Sequence, residues 1–454
     1  MASADVLERP AAGRALRPDA EIPGPRLPRL AQTLLAVARP IDMRLTMRDR
    51  YGPVYTTNDA IAGRLVHVGE RDLVEQIFKW KPDTYNVAEP RELMAPVVGA
   101  ESLLLLDGAR HLRMRKLLLP PFHGDAIAGF RDLIAEVTHR EIDRWRPGQT
   151  IRMRTVGQAI TMEVIIRAVF GITDPDRVAE MKRLLPKLSS VNPLLLLLPE
   201  SRRPRTPWGR FFRERERVDR MIHEEITRRR GSDEEHTDIL ALLIAARDED
   251  GAPLTDTEIR DELVTMLLAG HETTATTIAW TFERLLRTPE AMERLAREIR
   301  EGGGEEYLEA VVKESMRVRP VITEVFRKAT RRTVLGGYVI EAGTQVAASV
   351  LMVQFDERAY PEPHAFRPER FLGGVPEPYT WIPFGGGVRR CIGAAFALLE
   401  MRVVIAAVVA RADLRASRPA DEGLRFRGVT VLPSRGGEAV VEAIRAHDGP
   451  MRKT

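Results

Sequence analysis

Apolar residues recur at helical spacing along most of the 454-residue chain. Segments 109–119, 127–145, 154–169, 174–189, 208–230, 305–317 and 391–410 all carry that period, and each predicts a helix. The longest pattern starts after "APLTDTE", where Thr255 or Asp256 can cap it, and runs to about Leu286, just before Pro289. About 30 residues at a rise of ~1.5 Å span ~45 Å, so this helix should cross the core of a sizeable domain. Strand signals are fewer. "RYGPVYTTND" (50–59) and "RLVHVGE" (64–70), separated by "AIAG", predict an antiparallel hairpin, and short strands are expected at 334–340, 344–350 and 427–432. The fold class is mainly α with small β-sheets. Residues 1–21 read as a flexible leader and "EIPGPRLPRL" (21–30) as an extended, proline-stiffened lead-in. By length the chain could hold about three domains, but no linker or low-complexity block divides it, so 22–447 is expected to be one domain.

Two stretches depart from this regularity. "LLAGHETTATT" (267–277) puts Gly270 and four threonines into the middle of the longest helix, where Gly adds backbone entropy and Thr is stiff at its β-carbon. Small residues at 269 and 270 leave room beside the helix, and a Thr hydroxyl can bond the carbonyl four residues back and open the ladder. Glu272 and Thr273 then place an acid and a hydroxyl beside that gap, a pair able to relay protons. The H-E-x-x-H zinc pattern is not met, because its second histidine would fall at Ala275.

The other stretch, "FGGGVRRCIG" (384–393), holds the only cysteine. A lone cysteine ordinarily behaves as a small buried hydrophobe. Here it precedes the apolar helix "AAFALLEMRVVIAAVVA", so unpaired N–H groups, the positive dipole end, Arg389 and Arg390 should favour its thiolate. Glycines at 385, 386, 387 and 393 let the loop lie close against a flat object.

Composition narrows the class. With 44% hydrophobic and 30% charged residues the chain can build a large core, and 69 basic against 65 acidic residues give only +4, unlike a nucleic-acid binder. The arginines of "SRRPRTPWGRFFRERERVDR" (201–220) read as a solvated helix face, with contact to a membrane surface or partner as the alternative. No apolar run reaches the roughly 18 residues needed for a membrane span, and no signal-peptide core is visible, so a cytoplasmic location is expected.

Together these stretches resemble the cytochrome P450 superfamily of haem-thiolate monooxygenases, soluble bacterial type. The family's haem loop, F-x-x-G-x-R-x-C-x-G, is matched by Phe384, Gly387, Arg389, Cys391 and Gly393, and its helix motif by Ala269, Gly270, His271, Glu272, Thr273 and Thr274. The resemblance implies haem b (iron protoporphyrin IX) between the long central helix and the Cys391 loop, with Cys391 as axial iron ligand. It makes Thr273 the hydroxyl of the distal oxygen site, with Glu272 feeding the proton relay and His271 facing away from the haem. E-x-x-R at Glu314 and Arg317 with "FRPERF" (366–371) implies a buried structural triad with Arg370. His111 and Arg115 in "DGARHLRMRKLLLPPF", with Arg327 and Arg389, are the expected cations for the haem propionates.

The implied reaction inserts one oxygen atom from O2 into a hydrophobic small molecule, a hydroxylation when the target is a C–H bond. Fatty acids, terpenoids, steroids and polyketides remain open. Leu93, Met94, Val97, Leu103, Leu268, Ala269 and Val321 to Val325 are expected around the substrate, and "NPLLLLLPES" (192–201) at the pocket mouth. Glu324 stands out there, as a contact to a substrate hydroxyl or amine or as a solvent-facing group. No flavin or ferredoxin module follows Cys391 and no anchor is seen, so a separate ferredoxin or flavodoxin with its reductase is implied, steered by Arg389, Arg390 and Lys116. A peroxide-driven peroxygenase, or a haem-binding sensor without catalysis, are the alternatives.

Overall fold

A computed structural model describes residues 21–60, 63–81, 83–86, 94–122, 124–189, 200–203, 205–232, 236–374, 376–427 and 430–446. Its organising element is the helix Asp256–Leu285. Thr255 starts it with a full capping box: its side chain accepts from the Glu258 N–H, while the Glu258 carboxylate accepts from the Thr255 N–H. Against this central helix lies Met153–Val164, so close at Gly157 that a Cβ there would come within 3.0–3.2 Å of Ala275. Small residues set that crossing. Ala394–Arg411, the helix after Cys391, packs on the central helix, on Arg131–Ile142 and on Glu306–Val318. A large aliphatic core fills the space between them.

The sheets sit at the margins. Val54–Asp59 and Gly63–Val68 pair antiparallel as the sequence predicts, and they continue through Gln345–Ser349 and Glu324–Ala329 to Tyr85–Asn86 in a five-stranded sheet. A second core lies beneath it. The expected strand 334–340 is a hairpin, Thr333–Leu335 with Tyr338–Ile340, because Gly336 and Gly337 both take positive φ and turn the chain. Thr150–Arg152, Glu438–Ile444 and Ala412–Ala416 form a three-stranded sheet, and Leu424–Arg427 pairs with Thr430–Pro433. Expected helix 154–169 ends in a π-helical turn at Ile165–Val169. No helix among the described residues is long and apolar enough to cross a membrane.

One sequence expectation is overturned here. Glu324 faces neither substrate nor solvent. It is buried in the sheet, accepting from Arg44 at 2.8 Å and pairing with His67 Nδ1 at 2.6 Å. Burial opposes its charge, but Arg44 and His67 outweigh burial and hold its pKa well below the carboxylate range. The residue ties the helix Pro40–Tyr51 to two strands.

Candidate active site

The cysteine loop is built by two different uses of glycine. Gly385 and Gly387 adopt φ of +68° and +64°, which other residues rarely take. A Cβ on Gly387 would sit 2.0 Å from the Phe78 carbonyl oxygen, and one on Gly386 would sit 2.4 Å from the Phe78 ring. Phe78 is therefore the loop's packing partner, and no sequence motif marked it. Gly393 differs: its φ is −85° and a Cβ there meets no atom within 4 Å. Phe384 closes the turn, its carbonyl accepting the Cys391 N–H at 2.9 Å, with its ring edge-on to Trp381.

Cys391 is accessible, yet the surrounding chain desolvates it enough to push its thiol above the usual range, against the pull of the Gly393 N–H, Arg390 and Arg115. Both observations describe a sulfur at an inward-facing surface. In the protein alone, burial outweighs the helix terminus and the arginines that favour the thiolate. A metal cation would reverse that balance.

The middle of the central helix has the same character. Most of this helix is buried, but Ala269 is exposed and Leu268, Gly270, Glu272 and Thr273 are half-buried. The Thr273 hydroxyl donates to the Ala269 carbonyl at 2.5 Å, the back-bond expected from sequence, and Thr277 repeats it onto the Thr273 carbonyl at 3.0 Å. Glu272 is held by Arg154, by Gln158 at 2.7 Å and by Arg427 at 3.4 Å. Burial alone would raise its pKa, but Arg154, then Gln158 and Arg427, bring it below the ordinary range. Arg154 and Gln158 are partners of this carboxylate that no motif marked. With Thr161 they form an i, i+4, i+7 polar stripe along the helix Met153–Val164, and that spacing was the available signal. His271 faces the same helix: its Nδ1 lies 2.9 Å from the Thr161 hydroxyl, and burial lowers its pKa to about 4.

The basic residues divide. His111, Arg327 and Arg389 line one narrow cleft with Trp80, Tyr85 and Asp107. Arg389 is already engaged, donating to Asp107 and the Leu106 carbonyl. Arg327 is buried with its own neighbour's carbonyl as hydrogen-bond partner, and burial together with Arg389 lowers its pKa to about 10. Arg115, desolvated and near Cys391, has no carboxylate partner among the described residues. Lys116 pairs with Glu249 on the surface. Arg115 and Arg327 thus form no ion pair among the described residues, although Asp107 lies in the surroundings of Arg327, and this donor set suits a ligand carrying carboxylates. An accessible sulfur, an exposed alanine on the central helix and these cations fit a flat, acid-bearing porphyrin.

Nearby, Glu314 and Arg317 are wholly buried and bidentate at 2.7 and 2.8 Å. Arg317 also donates to the carbonyls of Gln354, Pro363 and Ala365, and the Arg367 N–H and Arg370 complete Glu314. The expected triad forms. Leu93 and 190–199 lie outside the described residues.

A helical fold around a cysteine loop with waiting cations defines a haem-protein class. The cytochrome P450 sequence pattern matches residues 23–437. Cytochrome P450 135B1 of Mycobacterium tuberculosis is 36% identical over 432 residues, 93% of this chain and 92% of that one. Cytochrome P450 135A1 of the same organism is 38% identical over 421 residues, 91% and 93% respectively. Among solved structures, a retinoic acid-bound cyanobacterial CYP120A1 superposes with a TM-score of 0.79 at 22% identity, covering 93% of this chain and 100% of that one. A cytochrome P450DA haem domain gives 0.80 at 22%, covering 95% and 99%. The chain belongs to the cytochrome P450 family, and with it to the haem monooxygenases that use O2 and electrons from a redox partner.

Proposed function

We propose that the domain 22–447 holds haem b with Cys391 as its axial thiolate and oxygenates a hydrophobic small molecule in the cytoplasm, with electrons from a separate ferredoxin or flavodoxin. The observation that carries this reading is the inward-facing Cys391 sulfur, with the Gly393 N–H directed at it and beside it Arg115, which has no carboxylate partner among the described residues. When bound, the haem supplies oxygen activation, and a thiolate ligand favours O–O cleavage. Arg115, Arg327 and His111 would take the propionates, with Arg389 held back from them by Asp107 unless that pair opens. Phe384, Gly387 and Gly393 shape the loop, while Ala269 gives the flat ligand clearance.

Thr273 holds a hydroxyl at the accessible face of the central helix. Glu272 is an ionised proton acceptor at its edge, whose release from Arg154 and Arg427 connects Thr273 to outside water. Apolar Val97, Leu103 and Leu268 favour a substrate held by area burial; fatty acids, terpenoids, steroids and polyketides share that property. Exposed Leu112 and Val388 beside Arg390 and Lys116 make a docking face for an acidic electron donor.

The test is the spectrum of the reduced, carbon-monoxide-bound protein. A strongly red-shifted Soret band, lost in Cys391→Ala, is expected. A band typical of histidine ligation, or one unchanged by Cys391→Ala, overturns the reading.

A further inference from the structure

The helix Arg29–Ala38 is built inside out. Its buried side chain is Gln32, 2% exposed, which donates to the Leu27 carbonyl at 2.8 Å and the Pro25 carbonyl at 3.3 Å and accepts the Asn58 N–H at 2.9 Å. Beside it, Thr33 accepts the Ala60 N–H at 2.8 Å, and Arg29 donates to the Asn58 side chain at 2.9 Å. The lead-in is fastened too. The Thr56 N–H donates to the Pro23 carbonyl at 2.7 Å, and a Cβ on Gly24 would lie 2.3 Å from the Thr56 oxygen. A polar face is thus clamped to the edge strand Val54–Asp59, and the apolar face is left outside.

That outer face carries Leu27, Leu30, Leu34, Leu35 and Val37, with Leu30 and Leu34 65% and 62% exposed. Among the described residues they are five of the seven large apolar side chains that are exposed, so the patch is concentrated and not incidental. Positions 27, 30, 34 and 37 form one stripe at helical spacing. Residues 22–41 contain Arg26, Arg29 and Arg39 but neither Asp nor Glu. A water-facing helix would carry the opposite arrangement. Leucines flanked by arginines match the plane of an anionic bilayer, where the apolar face reaches the acyl boundary and guanidinium groups meet phosphates. A second copy of the same patch would set arginines against arginines.

We infer that this helix is an interfacial docking surface for anionic lipid, on which the molecule lies without spanning the bilayer. The inference is independent of the proposed chemistry. It is tested by flotation of the full-length holoprotein with phosphatidylcholine vesicles, pure or containing about a third phosphatidylglycerol. Salt-sensitive binding to the anionic vesicles is expected. Leu30→Glu with Leu34→Glu should abolish it, and Arg26→Gln with Arg39→Gln should weaken it by about tenfold or more, both leaving the haem spectrum unchanged. Absence of flotation by the full-length protein overturns the inference, as does flotation indifferent to the leucine changes or equal on pure phosphatidylcholine. So does a dimer in sedimentation that the leucine changes dissociate, or flotation seen only after residues 1–20 are removed.

Discussion

Two carboxylate–arginine pairs are built in opposite ways in this molecule. Glu314 and Arg317 lie one turn apart on a single helix, both wholly buried, with partners from three further carbonyls and from Arg367 and Arg370. Glu272 and Arg154 come from different helices, each side chain keeps some exposure, and Gln158 and Arg427 share the carboxylate. The first pair cannot move without stranding a charge. The second keeps some exposure and three alternative partners, which is what the proposed proton relay would require.

Breaking the first pair should have the largest effect. Glu314→Gln or Arg317→Ala leaves a buried charge uncompensated, at about 3–5 kcal/mol. Chemical denaturation should show that loss, together with a low haem-to-protein ratio on purification. If either variant is as stable as the parent, the cluster is not what fastens the helix Glu306–Val318 to the loop 354–370.

Glu272→Gln should reverse the order of effects. Because the pair is partly exposed, solvent screens it and stability should change by less than about 1 kcal/mol. Turnover should fall by about a hundredfold, the usual scale for a lost proton-transfer group. The folded pKa is depressed, so this carboxylate's small stabilisation is present above its unfolded value and fades as pH drops below ~4. Equal losses of stability and rate would erase the distinction between the two pairs.

How much of this was legible follows from physical range. The cysteine loop, the central helix and the Glu314–Arg317 spacing are local, and the sequence carries them to within a few residues. Phe78, Arg154 and the strand Glu324–Ala329 depend on partners far along the chain. Glu324 was misread for that reason: Arg44 and His67, which bury its charge, are 280 and 257 positions away. The desolvation of Cys391 was hidden similarly, since dipole and arginines are sequence features while burial belongs to the tertiary surroundings.

A third carboxylate sharpens the comparison from the neutral side. Glu262, buried in the central helix, accepts the Leu103 N–H at 2.6 Å, and burial pushes its pKa up to about 8, with Asp261 and Glu258 adding to the rise. A raised carboxyl pKa means that the folded state holds its proton longer than the unfolded chain does. Stability should therefore fall as pH rises from ~4.3 to about 8, by up to about 1.4 kcal/mol per pH unit. Glu262→Gln keeps the acceptor for Leu103 and should flatten that slope in denaturant midpoints measured across the range. An unchanged slope would assign the carboxyl to the ionised class of Glu272.

The smallest expected change in stability is at Gly393, and it separates packing from ligand clearance inside the loop. Gly386 and Gly387 are required by Phe78, so any side chain there collides with protein. Gly393 has an ordinary φ and no protein atom within reach of a Cβ, so Gly393→Ala should shift the stability of the haem-free protein by only about half a kcal/mol, the difference between glycine and alanine at a helix N-cap. The added methyl does, however, sit two residues from the sulfur, on the residue whose N–H points to it. The haem-loaded variant should therefore show a displaced Soret band and weaker haem retention despite the unchanged apoprotein. A loss of apoprotein stability as large as Gly387→Ala produces would mean that protein, and not the cofactor, demands glycine at this position.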